Sequence, residues 1–336
     1  MATIVLTGGG TGGHVIPNIA LLNELYKYFD SIHYIGSAGI EEKLIKNENI
    51  PFHKTSTIKL DRSKLLANAK IPFLLTKGIF EAKELLSNIS PNVIFSKGGY
   101  VSLPTCYAAK LLNIPIVCHE SDYTLGVANK LVSKFAKITL TSFPETEPGV
   151  FVGNPVREEI YKKTFKVSNE FKLNHNKKTI LVSGGSLGSV AINKIIYKLL
   201  PTLQNNYNII HIAGNNGDFS VTGKNYTQIA YTNNFAEALS LADLVICRSG
   251  ANTLAEVASL GKRCITIPLP KGASRGDQLS NALSYKKRGY CEVLSQDELT
   301  PITLNALIEI IWYKTPPILN VLEINEKIVK HILSAM

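Results

Sequence analysis

Short β-branched apolar runs alternate with helical patterns along the whole chain. Residues 3–7 read as a buried strand and 16–28 as an amphipathic helix, followed by a strand at 32–35 and a short helix at 41–47. Further strands are expected at 93–95, 116–118 and 138–140, with a helix at 103–112. Such alternation implies βαβ units and a parallel sheet covered on both faces. The pattern breaks over 158–178, a polar Lys/Asn-rich stretch that reads as a linker followed by a surface segment. It restarts at 179–183 and passes through the glycine-rich turn 184–188 into a helix from about Val190. Strands at 209–213, 244–246 and 264–267 continue it. The expected fold class is α/β, with two Rossmann-like domains in tandem facing a cleft, 1–158 and 159–318. In open sheets of this kind, ligands sit beyond the carboxyl ends of the strands, where helix amino termini point.

The length of 336 residues fits about two domains at roughly 150 residues each. A composition of 45% hydrophobic and 18% charged residues excludes wholesale disorder. No apolar run reaches the ~18–20 residues of a membrane-spanning helix. The first residues, Met1 to Thr7, carry no basic region, so no secretory signal is expected there. Cys106, Cys118, Cys247, Cys264 and Cys291 show neither CxxC nor zinc spacing, which points to a reduced, cytosolic chain. The net charge of +10 leaves nucleic acid, an anionic membrane surface or phosphorylated substrates as partners. No basic block of five or more occurs, and no RNP or helix-turn-helix signature is visible, which counts against nucleic acid.

Three glycine loops carry the candidate chemistry. GGGTGGH at 8–14 follows the first strand and contains GxGxxG at Gly8, Gly10 and Gly13. Glycine lets the backbone approach a phosphate, while the following helix supplies free N–H groups. The dinucleotide version of this loop expects an acid at the end of the second strand. Here Ile35 is followed by Gly36, Ser37 and Ala38, with Glu41 inside the next helix, which counts against NAD. His14 reads either as a helix-start cap or as a general base or substrate contact. SKGGY at 96–100 is a second loop of the same type, and GGSLGS at 184–189 a third. Three loops across two domains suit a diphosphate or two phosphorylated substrates better than one dinucleotide.

At RSGANTLAE, residues 248–256, a strand ends and a helix opens with Glu256 one to two turns in. A carboxylate there can accept both hydroxyls of a ribose while the helix amino terminus faces a diphosphate. GDQLSNA at 276–282 then places amides where sugar hydroxyls could be read. With GGGTGGH, SKGGY, His119-Glu120, GNPVR at 153–157 and GGSLGS, the ordered set resembles the MurG family over essentially the whole chain. These are the peptidoglycan transferases that move N-acetylglucosamine from UDP-N-acetylglucosamine to lipid I.

The resemblance implies a GT-B architecture of two Rossmann-like domains. The first would be the acceptor and membrane side, with a helix over 319–336 packing back on it, and the second would bind the UDP-sugar. It places Thr11, Gly12 and Gly13 close to the donor, and Arg157 and Ser186 near its diphosphate. Ala251, Asn252, Thr253, Leu254, Ala255 and Glu256 match the uridine-diphosphate segment, with Glu256 on the ribose. Gln278 and Asn281 match the amides that read the donor sugar, and Thr232 aligns with a uracil contact that is usually apolar. Gly98, Gly99, Tyr100, His119 and Asp122 fall on the acceptor side, and His14 and Glu120 are the catalytic candidates. Asp122 stands where the family often has Asn, and Leu125 where proline is common.

No Asp-x-Asp pair occurs, so a metal-chelating transferase site has no obvious ligands, and neither metal nor cofactor is expected. The implied reaction is an inverting transfer to the muramyl C4 hydroxyl of undecaprenyl-linked lipid I. Either His14 or Glu120 would act as base, and helix amino termini, Ser186 and Arg157 would stabilise departing UDP. The basic and apolar stretch 59–80 reads as a surface for an anionic membrane, implying a peripheral enzyme on the cytoplasmic face of the bacterial plasma membrane. Another lipid-acceptor GT-B transferase, for example one that glycosylates diacylglycerol, shares the donor half of this pattern, and a UDP-sugar epimerase uses the same fold.

Overall fold

The computed structural model describes residues 2–57, 71–164, 168, 170–171, 173–185, 187–270, 272 and 276–336. Ser186 and the part of the basic and apolar stretch before Ile71 lie outside the described residues. The chain divides into two compact units, Met1–Arg157 with Val321–Met336, and Glu158–Asn320.

In the first unit the strands are β1 (Thr3–Thr7), β2 (Ser31–Gly36), β3 (Phe52–Lys54), β4 (Val93–Ser96), β5 (Ile116–Glu120), β6 (Ile138–Thr141) and β7 (Val150–Phe151). They form one parallel sheet in the order β3-β2-β1-β4-β5-β6-β7. Its helices are α1 (Gly12–Ile19), α2 (Leu22–Leu25), α3 (Ile40–Ile45), α4 (Ile71–Ile89), α5 (Ser102–Leu111) and α6 (Val127–Val132). Val5, Ile35, Ile94 and Cys118 pack against Ala82 and Leu86 of α4 and Ala108 and Ala109 of α5. Central strands covered on both faces bury every side chain, and this is why they read as unbroken apolar runs.

The second unit repeats the plan with β8 (Lys178–Ser183), β9 (Tyr207–Ile212), β10 (Tyr226–Ile229), β11 (Leu244–Cys247), β12 (Arg263–Thr266) and β13 (Glu292–Val293). These too are all parallel, in the order β10-β9-β8-β11-β12-β13. The helices are α7 (Glu158–Tyr161), α8 (Val190–Asn206), α9 (Phe235–Leu241), α10 (Ala251–Ser259), α11 (Asp277–Lys287) and α12 (Pro301–Ile311). Ile180, Val182, Ile246 and Ile265 form a core with Ile192, Ile196 and Leu200 of α8 and Leu304 and Ile308 of α12.

The last helix, α13 (Val321–Ser334), belongs to the first unit. Its Asn325 donates to the Val156 carbonyl at 3.4 Å, and Lys137 Nζ donates to the Ala335 carbonyl at 2.9 Å. Ile324 occupies the space that a side chain at Gly153 would need, 2.7 Å from the position of its Cβ.

Two local outcomes differ from the sequence pattern. The helix expected over 16–28 begins earlier, at Gly12, and is two pieces, α1 and α2. Pro17 brings no amide to the helical ladder, and Leu21 N turns to Asn18 O at 3.2 Å, a tighter bond that ends the first piece. The polar stretch 158–178 holds a short helix, α7, anchored through buried Ile160.

In each sheet the strand order reverses once, between β1 and β4 and between β8 and β11. Those reversals are the switch points where loops diverge and leave a crevice.

Candidate active site

The loops after β1 and β4 leave side by side, because Thr7 pairs with Ser96. Gly9 N donates to the Gly98 carbonyl at 3.3 Å, so the two loops are stitched together. Glycine is obligatory at two points of this seam. At Gly99, φ is +78° and a Cβ would lie 2.3 Å from the Gly9 carbonyl oxygen. At Gly10, φ is +85° and a Cβ would lie 2.5 Å from the ring of Tyr100. Neither position admits an L side chain without moving backbone or ring.

Part of the first loop is already satisfied from within. Fully buried Glu41, on α3, accepts from Gly10 N at 3.3 Å and from Ser37 N at 3.1 Å. A carboxylate therefore sits where the sequence suggested a phosphate. The loop ends in the start of α1, where Gly12 and Gly13 follow exposed Thr11 at the positive end of the helix dipole. His14, half-buried, has its Nδ1 3.0 Å from Thr11 Oγ1 and packs against Gly99. Burial and the charge of Glu41 push the Tyr100 phenol up from its ordinary value, keeping it neutral. A cavity of about 620 Å³ opens beside Tyr100, lined also by Ser37, Lys54, Ser56, Thr57 and Glu81.

The His119-Glu120 pair is turned inward. Glu120 is 4% exposed, and its carboxylate accepts from Asp122 N at 3.0 Å, Gly126 N at 2.8 Å and Asn129 Nδ2 at 2.9 Å. It closes the 121–126 loop over the start of α6, leaving Asp122 half-buried on that loop. His119 is fully buried, with Nε2 2.9 Å from the Gly153 carbonyl and Nδ1 2.5 Å from Lys97 Nζ. Burial first, and the Lys97 charge second, hold its imidazole well below the ordinary value, hence neutral. After Gly153, Asn154 Oδ1 accepts from Ser121 Oγ at 3.1 Å and Ser142 Oγ at 3.3 Å. Arg157, half-buried, ends this braced segment.

In the second unit Gly250 caps α10, whose first turn carries Ala251, Asn252, Thr253 and Leu254. Ala251, Leu254, Ala255 and Glu256 are buried, while Asn252 and Thr253 are half-buried. Asn281 is fully buried and donates to the Ser249 carbonyl at 3.1 Å, so it braces the turn before α10. Gln278 accepts from Leu269 N at 3.0 Å. The Thr232 hydroxyl donates to Glu170 at 2.7 Å and is 8% exposed, which turns it toward the protein. Among the described residues, no group of three or more His, Cys, Asp or Glu is placed to hold a metal ion.

Three buried charged groups have roles that motif reading did not supply: Glu41, Lys97 and Arg248. Arg248 donates to the carbonyls of Ile267 at 3.0 Å and Pro268 at 3.1 Å, to Ser189 Oγ at 2.7 Å and to Gln296 at 2.6 Å. Lys97 and Arg248 share one signal: each is an ionisable residue directly after a central strand, Lys97 after β4 and Arg248 after β11.

Two parallel α/β units with helix-opening glycine loops at both switch points have the form of a GT-B glycosyltransferase. Residues 4–141 match the glycosyltransferase family 28 N-terminal domain, and 179–316 its C-terminal domain. A Clostridium perfringens protein, 42% identical over 308 residues, spans 88% of this chain and 86% of its own length. A Clostridium botulinum protein is 42% identical over 318 residues, 90% of this chain and 89% of its own. Both are named UDP-N-acetylglucosamine–N-acetylmuramyl-(pentapeptide) pyrophosphoryl-undecaprenol N-acetylglucosamine transferase. The crystal structure of Acinetobacter baumannii MurG, 27% identical, superposes with a TM-score of 0.74 over 99% of this chain and all of that one. A Staphylococcus aureus MnaA–UDP structure, 15% identical over all of this chain and 98% of that one, has a TM-score of 0.71 and shares the fold alone. The chain belongs to glycosyltransferase family 28 and, within it, to the MurG family.

Proposed function

We propose that this glycosyltransferase moves N-acetylglucosamine from UDP-N-acetylglucosamine to the C4 hydroxyl of the muramyl sugar of undecaprenyl-linked lipid I. The product is lipid II, in peptidoglycan synthesis. The observation that carries this reading is 42% identity across 88% of the chain to a relative bearing that activity in its name. The transfer inverts the anomeric carbon, with the acceptor oxygen attacking as UDP leaves.

His14 is the base in this reading. When Thr11 Oγ1 accepts the Nδ1 proton, Nε2 carries the lone pair that takes the proton of the C4 hydroxyl. Glu120 has both oxygens engaged by three N–H groups, which supports a loop-holding role for it rather than proton transfer. The amides of Gly12 and Gly13 approach the donor, while Gly98, Gly99 and Tyr100 serve the acceptor. On the donor side Glu256 takes the ribose, and the α10 amino terminus and Arg157 stabilise the charge that grows on UDP.

The acceptor is anchored in a bilayer, so the enzyme works as a peripheral protein on its cytoplasmic face. Among the described residues no helix is long and apolar enough to cross a membrane. On α4, Phe73 is 72% exposed and Phe80 68%, with Lys77 between them, a mixture suited to an anionic interface.

Incubation with UDP-N-acetylglucosamine and a lipid I analogue tests the function directly. UDP release that requires both substrates is expected. Release with diacylglycerol in place of lipid I would replace the assignment with another lipid-acceptor transferase.

A further inference from the structure

Lys97 is fully buried at the end of β4, directly before the glycine pair that packs on the first loop. A carbonyl can only accept, so His119 Nε2 must donate to Gly153 O. A neutral imidazole then has its lone pair on Nδ1, and Lys97 Nζ supplies the proton facing it. One chain of hydrogen bonds thus runs from the loop after β4, through β5, to the segment that ends in Arg157. Ser121 and Ser142, holding Asn154, fasten the same segment one residue further on.

Arg248 occupies the corresponding place in the second unit. It is the first residue after β11, which pairs with β8 as β4 pairs with β1. Where Lys97 reaches His119 inside the neighbouring strand β5, Arg248 reaches Ile267 and Pro268, just after its neighbour β12. A buried cation directly after the switch-point strand, bonded to the next strand or to the residues just after it, is therefore present in both units. Keeping an ammonium out of water is costly, and the charges of Glu120 and Asp122 act against that cost here.

We infer that Lys97 is a positioning residue for donor binding, holding the Gly153–Arg157 segment in register with the glycine loops through the ring of His119. The inference rests on the assignment of Arg157 to the donor diphosphate made above. Burial lowers the Lys97 ammonium to about 7, so it is charged below that pH and a weaker donor above it.

The test is calorimetric binding of UDP-N-acetylglucosamine, whose diphosphate diester does not titrate near neutrality, to the full chain between pH 6 and 8.5. Lys97→Met should weaken binding roughly 10- to 100-fold at pH 6, the scale at which misplacing a binding group acts. The unaltered chain should lose affinity as pH rises through about 7, and that inflection should vanish in Lys97→Met. His119→Gln carries the same expectation should Lys97→Met fail to fold. The double variant should be no weaker than the worse single one, since both residues act through one link. Unchanged affinity and an unchanged pH profile in Lys97→Met, with Arg157→Ala clearly impaired, would overturn the inference alone. Unchanged affinity in Arg157→Ala would remove the donor reading and the inference with it.

Discussion

At the scale of single residues, His14 and Glu120 show how far type and spacing go before partners decide. Both are titratable and near glycine loops, yet Glu120 is almost sealed and triply bonded, while His14 is half-buried at a loop lip. His14→Ala is therefore expected to lower kcat by ~10²–10⁴-fold with both substrates saturating, the usual contribution of a general base. Near-normal turnover in that steady-state assay would remove histidine from the mechanism. The glycine loops were legible as motifs because local backbone demands and short spacings write themselves into sequence. The inward turn of Thr232 and His119 was not. Their partners, Glu170 and Gly153, lie 62 and 34 residues away, and no local pattern encodes which distant oxygen a buried group will meet.

At the scale of elements, the central strands were legible and the edges were not. Residues in β1, β4, β5, β8, β11 and β12 form apolar runs because both faces are covered. The short outer strands β3, β7, β10 and β13 are part-exposed and carry residues such as His53, Gln228 and Glu292, so they lack that signature. The seam between the first two glycine loops is an element-level feature as well, and it depends on Gly99. Gly99→Ala should destabilise the chain by about 1–3 kcal/mol, from the backbone conformation and the contact with Gly9 O together. Gly12→Ala is the control, since its nearest neighbour would be Ile16 at 3.6 Å. Denaturant midpoints of the two variants should separate clearly, and equal midpoints would show the seam to be pliable.

For the whole molecule, the two-unit plan followed from one alternation broken once and restarted, and the proposed membrane contact of α4 would give the net charge of +10 a use. Sedimentation with liposomes should show binding that rises with the anionic lipid fraction and falls with salt, as screening requires. Replacing Phe73 and Phe80 together by Ser should weaken it further. Binding indifferent to lipid charge would detach the basic composition from the membrane.

The return of α13 to the first unit has a bearing on how the enzyme is made. Chains fold as they emerge from the ribosome, and domains generally do so in the order of synthesis. Here residues 321–336 come after the entire second unit, yet Ile324 and Asn325 complete the surroundings of Gly153 and Val156. The second unit can finish first, while the first lacks α13 until the end of translation. Birth order and completion order are thus reversed, and the Arg157 segment gains its last neighbours only after the whole second unit has been translated.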